Sequence, residues 1–159
     1  MLSVKLIGLV SQSSVVQQDV YDIFTAPAAN LLRTQDRTTS GGERIARGVV
    51  KWNAISSHAL EFGGEGAFNF RDTTLDIINQ PHGGAPVRVP LPVADARVEE
   101  VRGELFVTDM WSASPKLTIE GGVNVEFSRI SQTGDQEQER EFNFVKPRLN
   151  ATYVLTPDH

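Results

Sequence analysis

The stretch from Lys116 to Ile130 constrains the fold more than any other. Leu117, Ile119, Gly121, Val123, Val125 and Phe127 fall on one side of an extended chain. Thr118, Glu120, Gly122, Asn124, Glu126 and Ser128 fall on the other. Successive strand side chains point to opposite faces, so strict period-two alternation reads as a β-strand with one apolar and one polar face. A second arm, Phe142 to Leu155, repeats the pattern, with Phe142, Phe144, Leu149, Ala151, Tyr153 and Leu155 against Arg148, Asn150 and Thr152. Two kinds of sheet show this pattern. A soluble sheet turns the apolar face onto a core, whereas a membrane barrel turns it to lipid and the polar face to a wet lumen.

Bulk properties narrow the classes. The 159 residues suffice for one domain, taken here as 1–159. A net charge of -5 leaves no basic footprint for nucleic acid. The chain has no cysteine, which excludes disulfides, thiolate metal sites and cysteine nucleophiles. No run approaches the ~20 apolar residues of a membrane helix, although alternating barrel strands escape that test. Leu6-Ile7-Gly8-Leu9-Val10 is cut short by Ser11-Gln12-Ser13-Ser14, and a signal peptide needs roughly 7–15 apolar residues and a small-residue cleavage site. The segment from Leu2 to Val10 therefore reads as a strand, and an export signal would lie upstream.

Along the chain, Val15 to Phe24 is ambiguous between strand and helical turn, and Thr25-Ala26-Pro27 breaks it. Asn30 to Arg37 reads as a weak strand and Thr38 to Gly42 as a flexible loop. Arg44 to Asn53 alternates, with Ala46, Gly48, Val50 and Trp52 opposed to Arg47, Val49 and Lys51. His58 to Phe70 is a strong strand with Leu60, Phe62, Phe68 and Phe70 in one row. Its Gly63, Gly64 and Gly66 would weaken a soluble strand but permit close backbone approach. Asp72 to Ala96 reads as a long loop in which Thr74 to Ile78 extends the strand; Val98 to Trp111 is another strand. Ser112 to Pro115 is a tight turn, Ser131 to Arg140 a solvated loop, and Thr156 to His159 a final turn. Pro147 argues against a regular interior ladder at that point. The expected fold is all-β: an antiparallel up-and-down meander, an open curved sheet of about seven or eight strands, forming a segment of a larger transmembrane β-barrel.

Three features favour membrane over solution. Short and long links alternate, as in outer-membrane barrels with tight periplasmic turns and long outer loops. Trp52, Trp111 and Tyr153 lie near the short-turn ends, where girdle aromatics belong. Glu61 with Glu65, Arg102 with Glu104, Glu120 with Asn124 and Glu126, and Arg148 with Asn150 charge or polarise whole strand faces, as lumen-facing rows would. The competing reading is a small soluble β-sandwich or calyx that binds an apolar ligand on an inward Leu60/Phe62/Phe68/Phe70 row. A complete small barrel of eight strands lies between the two.

Several stretches resemble the barrel of TonB-dependent outer-membrane receptors. They are Arg97-Val98-Glu99-Glu100-Val101-Arg102-Gly103-Glu104-Leu105-Phe106 with Asp109-Met110-Trp111, Leu117 to Glu126, Phe144 to Tyr153, and His58 to Glu65. The resemblance covers about Arg44 to His159. It implies uptake of a scarce nutrient such as a metal chelate or glycan across the bacterial outer membrane, driven by an inner-membrane TonB complex. Such receptors have about 22 strands around a plug. This chain holds about a third of that number, with no plug and no partner-binding box, so it is expected to be a receptor fragment, from a truncated gene or partial gene reading. The outer loops Asp72–Ala96 and Ser131–Arg140 would then contact the ligand, because binding residues concentrate on scaffolded loops.

No catalytic, cofactor or metal site is expected, and the reading is non-enzymatic. His58, His82 and His159 share no metal-ligand spacing. Gly63-Gly64-Glu65-Gly66 lacks the strand-to-helix setting of a phosphate loop. The pairs Glu61/Glu65 and Glu120/Glu126 are too regular for acid–base catalysis and read as hydrated rows. Asn150-Ala151-Thr152 matches a glycosylation sequon inside a strand, where chance accounts for it.

Overall fold

The structure, a computed structural model, describes residues 1–25 and 28–155. These residues form one antiparallel sheet. Its strands are β1 (Leu2–Thr25), β2 (Ala28–Trp52), β3 (His58–Pro81), β4 (Val87–Arg88), β5 (Asp95–Ser114), β6 (Leu117–Gly134) and β7 (Gln138–Tyr153). The spatial order is β1-β2-β3-β5-β6-β7, with two-residue β4 pairing the far end of β3. Every long strand pairs with its neighbours in the chain, which is an up-and-down meander. β1 pairs only β2 and β7 only β6 among the described residues, so the sheet is open and the small closed barrel is not formed.

Pairing register assigns every side chain to a face. Even-numbered residues of β1, β2 and β3 share a face with odd-numbered residues of β5, β6 and β7. One cross-strand row on that face is Val4, Val50, Phe62, Val107, Val123 and Pro147, apolar through all six long strands. The row below it is Leu2, Trp52, Leu60, Asp109, Gly121 and Leu149, and the row above is Leu6, Gly48, Gly64, Leu105, Val125 and Val145. On β5 the apolar positions of this face continue up to Val101, whose row also holds Arg44, Arg129 and Glu141. From Val101 to Trp111 is ~33 Å of strand at ~3.3 Å per residue, or about 25 Å of height at a tilt near 40°. That height matches the apolar band of an outer-membrane barrel.

Nothing packs over this belt among the described residues. Leu6 and Leu149 are 81% and 79% exposed, and only Val49 and Ala67, both on the opposite face, are buried hydrophobics. A sandwich or calyx requires the Leu60/Phe62/Phe68/Phe70 row to be sealed. It lies in the open belt instead, so that reading fails. On the polar face the side chains crowd, with Glu65 and Glu126 side chains only 16% and 18% exposed. Crowding on one face and splaying on the other are what a sheet bent toward its polar face produces.

The strands run further than the sequence suggests. Ser11 to Ser14 and Val15 to Phe24 belong to one β1, and the loop expected at Thr38–Gly42 lies inside β2, paired to Gln12–Val16 and to Phe70–Thr74. Most of Asp72–Ala96 and Ser131–Arg140 is also strand. Among the described residues the links are 53–57, 82–94 with β4 inside, 115–116 and 135–137, so of the three expected longer loops only 82–94 remains, between two short links. Turn formers mislead because pairing on both edges fixes even polar residues in a ladder, and β-propensity yields to that context. Gly42 illustrates this: the Phe70 ring lies against it, with its nearest atom 2.7 Å from where a Cβ would stand. The break expected at Thr25-Ala26-Pro27 falls at the end of β1, but residues 26 and 27 lie outside the described residues, as does the turn at 156–159 with His159.

Two residues explain their own placement. Pro147 sits in a β7 that pairs β6 without any register shift. The Val154 amide donates to the Lys116 carbonyl at 2.9 Å, so even-numbered positions exchange backbone hydrogen bonds with β6. The Pro147 nitrogen therefore faces the free edge, where a missing N–H costs β6 nothing. Gly63 is tightly approached: a Cβ there would collide with the Gly48 carbonyl and stand 2.8 Å from the Phe106 ring. Gly63→Val is expected to cost about 1–3 kcal/mol by overpacking, measured by denaturant unfolding in lipid. Gly66→Val, where a Cβ meets nothing within 4 Å, is the silent control.

Candidate functional site

The polar face carries the densest chemistry, and it arises because five strands place charged residues in adjacent cross-strand rows. Glu61, Glu65, Arg102, Glu104, Glu120, Asn124, Glu126, Arg148 and Asn150 all fall on it. Glu65 is its hub, accepting from Arg47 on β2 and Arg102 on β5, each at 3.2 Å. Lys146 donates to Glu126 at 2.7 Å, Arg148 pairs with Glu120 at 2.8 Å, and Lys51 pairs with Glu61 at 2.9 Å. Asn124 donates to Glu104 at 3.1 Å, and Asn69 and Ser128 both donate to Glu100. Asn150 stands opposite Glu120.

This arrangement balances a repulsion. Glu65, Glu104 and Glu126 face each other directly across β3, β5 and β6. Like charges in opposed positions destabilise a sheet. Arg47 and Arg102 on one side and Lys146 on the other offset the outer two carboxylates, leaving Glu104 to Asn124. Arg47 also lies 4.8 Å over the Phe106 ring, which itself covers Gly63. A hollow of about 380 Å³ lies beside this network, lined by Lys51, Glu61, Thr108, Met110, Glu120 and Arg148 among others. The face can hold a hydrated polar solute by hydrogen bonds and ion pairs.

Sequence reading found the acidic row but missed Arg47, Lys51, Asn69, Glu100, Phe106 and Lys146. The alternation within each strand carried the signal, since these residues share parity with the named ones. The missing datum was inter-strand register, which decides who meets whom.

Trp52, Trp111 and Tyr153 lie on the apolar face at the end where residues 53–57 and 115–116 turn, and are 38%, 42% and 58% exposed. His58 begins a strand, as the sequence suggests. It opens β3, its Nδ1 is 2.7 Å from an Asp109 carboxylate oxygen, and its ring stacks on Trp111 at 5.8 Å. His82 lies in the turn after β3. Among the described residues no group of three or more His, Asp or Glu side chains is disposed to hold a metal ion. Gly63-Gly64-Glu65-Gly66 is mid-strand, without a helix to follow.

At the opposite end, Gly134 (φ 115°) and Asp135 make the β6–β7 turn. The Asp135 carboxylate accepts from the Asp95 and Ala94 amides at 2.9 and 2.6 Å. These bonds, the Asp95 one first, hold its carboxyl below the ordinary carboxylate value. A depressed folded pKa gives a clasp that is complete above the unfolded value, about 4, and is lost as pH falls through the lowered folded value. Hydrogen exchange at the Ala94 and Asp95 amides is therefore expected to be protected at neutral pH and to lose that protection only in strong acid. In Asp135→Asn the protection should be weaker at neutral pH and indifferent to acidification.

No family model and no curated protein matches the chain. Among solved structures, the sheet is similar to the crystal structure of the ferric citrate transporter FecA in the unliganded form, with 16% identity and a TM-score of 0.55. The match covers 98% of this chain and 23% of that one, so this chain spans about a quarter of the other's length. The likeness is one of fold: an open antiparallel sheet laid on a sector of a larger β-protein.

Proposed function

We propose that this chain is a sector of the wall of a bacterial outer-membrane β-barrel of the TonB-dependent receptor kind, serving uptake of a scarce nutrient such as a metal chelate or glycan. The observation that carries the reading is the apolar belt, interrupted in its lower row by Asp109, uncovered on one face and backed by a charged network on the other. In this reading the belt meets hydrocarbon, and Trp52, Trp111 and Tyr153 form the girdle at the periplasmic rim. The Glu65 network lines the lumen. The strands overshoot the belt at the outer end, where the ligand is met. The similarity to a transporter supports this reading.

The free edges fit the same picture. Unpaired N–H and C=O groups cost several kcal/mol each in hydrocarbon, so other strands must complete β1 and β7. The plug and the TonB complex belong to the assembled receptor, and the chain's own role is wall rather than catalyst. Reconstitution with lipids brominated near the headgroup end of their chains tests the reading: quenching of both Trp52 and Trp111 is expected. A chain that stays soluble without detergent and melts sharply as a monomer would refute it.

A further inference from the structure

The lower end of the belt holds an acid–base pair that stands outside the polar network. The His58 Nδ1 on β3 lies 2.7 Å from an Asp109 carboxylate oxygen on β5, and the two side chains are only 32% and 34% exposed. The second Asp109 oxygen is covered and has no hydrogen-bond partner in the protein. The imidazole lies parallel to the Trp111 ring, within 3°. The register surrounds the pair with Trp52, Leu60, Val107, Ile119 and Gly121, and no other charged residue shares its face in these rows. The other charges of this end are Lys116 in the link after β5, the amino terminus at Met1, and Glu61 and Glu120 on the opposite face, held by Lys51 and Arg148. Ser57, next to His58, has a left-handed φ of 66°, and its carbonyl accepts from the Ser112 amide at 2.8 Å.

We propose that this pair is a pH-operated latch, which ties the start of β3 to β5 while His58 carries a proton and slackens when it does not. Histidine is the side chain whose charge changes between about pH 5 and 8. With the proton on, the bond joins opposite charges and is about twice as strong as a neutral one. The imidazolium also lies against the Trp111 ring, whose face attracts a cation. With the proton off, both gains go, and Asp109 is left as a lone negative charge among apolar side chains, a costly position. The latch is therefore closed at the acid end of the range and loosens as pH rises. What it holds is the turn between β2 and β3. The left-handed backbone of Ser57 is strained and persists only while its surroundings fix it, and its bond to Ser112 lies beside the pair.

The experiment compares hydrogen exchange of the Ser112 amide, corrected for the intrinsic rate, at about pH 5.5 and about pH 8, the span over which a histidine changes charge. Trp111 emission is followed over the same span in a Trp52→Phe background. Ser112 protection is expected to fall about five-fold toward high pH, the effect of one partly exposed ion pair. Trp111 emission should rise as the quenching imidazolium is lost. Asp109→Asn should keep the emission change, since His58 still titrates against Trp111, and lose the protection change. His58→Gln should lose both. Wild-type protection that is equal at the two pH values, or a protection change that survives in either variant, overturns the latch. The pair lies within the sheet, so these outcomes leave the membrane reading where it stands.

Discussion

Val123→Arg is expected to destabilise the lipid-inserted sheet by about 2–4 kcal/mol, the cost of a guanidinium at mid-bilayer on a barrel's outer surface. Asn124→Arg, one residue along, is expected to be close to neutral. Val123 lies in the central apolar row, between Val107 and Pro147. Asn124 faces the other way, donating to Glu104 two residues from Glu126, where a new cation meets carboxylates. Denaturant titration of both variants in bilayers provides the comparison. Were the apolar face hydrated, Val123→Arg would cost little, because a surface substitution away from special features usually lies within about 0.5 kcal/mol.

The second large effect is expected at Glu65. Its side chain is mostly covered and accepts from two guanidinium groups, so Glu65→Ala removes two charge-assisted bonds and leaves Arg47 and Arg102 facing each other. A loss of about 2–3 kcal/mol is expected, since hydrogen bonds to charged groups contribute more than neutral ones. Lys51–Glu61 is the contrast. Its members are 60% and 36% exposed, and its removal should cost under about 1 kcal/mol. A double-mutant cycle of Glu65→Gln with Arg102→Met isolates the pair, and coupling near zero would show that the hub does not hold the face together.

Much of this could be read from the sequence, and the failures share one cause. Leu117 to Phe127 and Val98 to Trp111 announce their faces because alternation is a property of one strand. The polar rows of Glu61, Glu65, Glu104 and Glu126 follow from it. The partners Arg47 and Lys146 do not, since only register brings β2 to β3 or β7 to β6. Thr38 to Gly42 departs from the expected loop for the same reason: serine, threonine and glycine signal a turn in isolation, but two flanking ladders hold them extended. The partners of His58, Asp109 and Trp111, are invisible for the same reason, since they lie across the sheet on β5. The overshoot of β1, β2 and β3 past the belt replaces the long loops as the structure of the outer end.

The most direct test places nitroxide labels singly along β5 in lipid bilayers and compares access to dissolved oxygen with access to a water-soluble nickel chelate. Val101, Leu105 and Val107 should reach oxygen, and Arg102, Glu104 and Thr108 the chelate, in strict alternation. Odd positions shielded from both reagents would mean that the valines and leucines are sealed in a core, and the membrane assignment would be wrong.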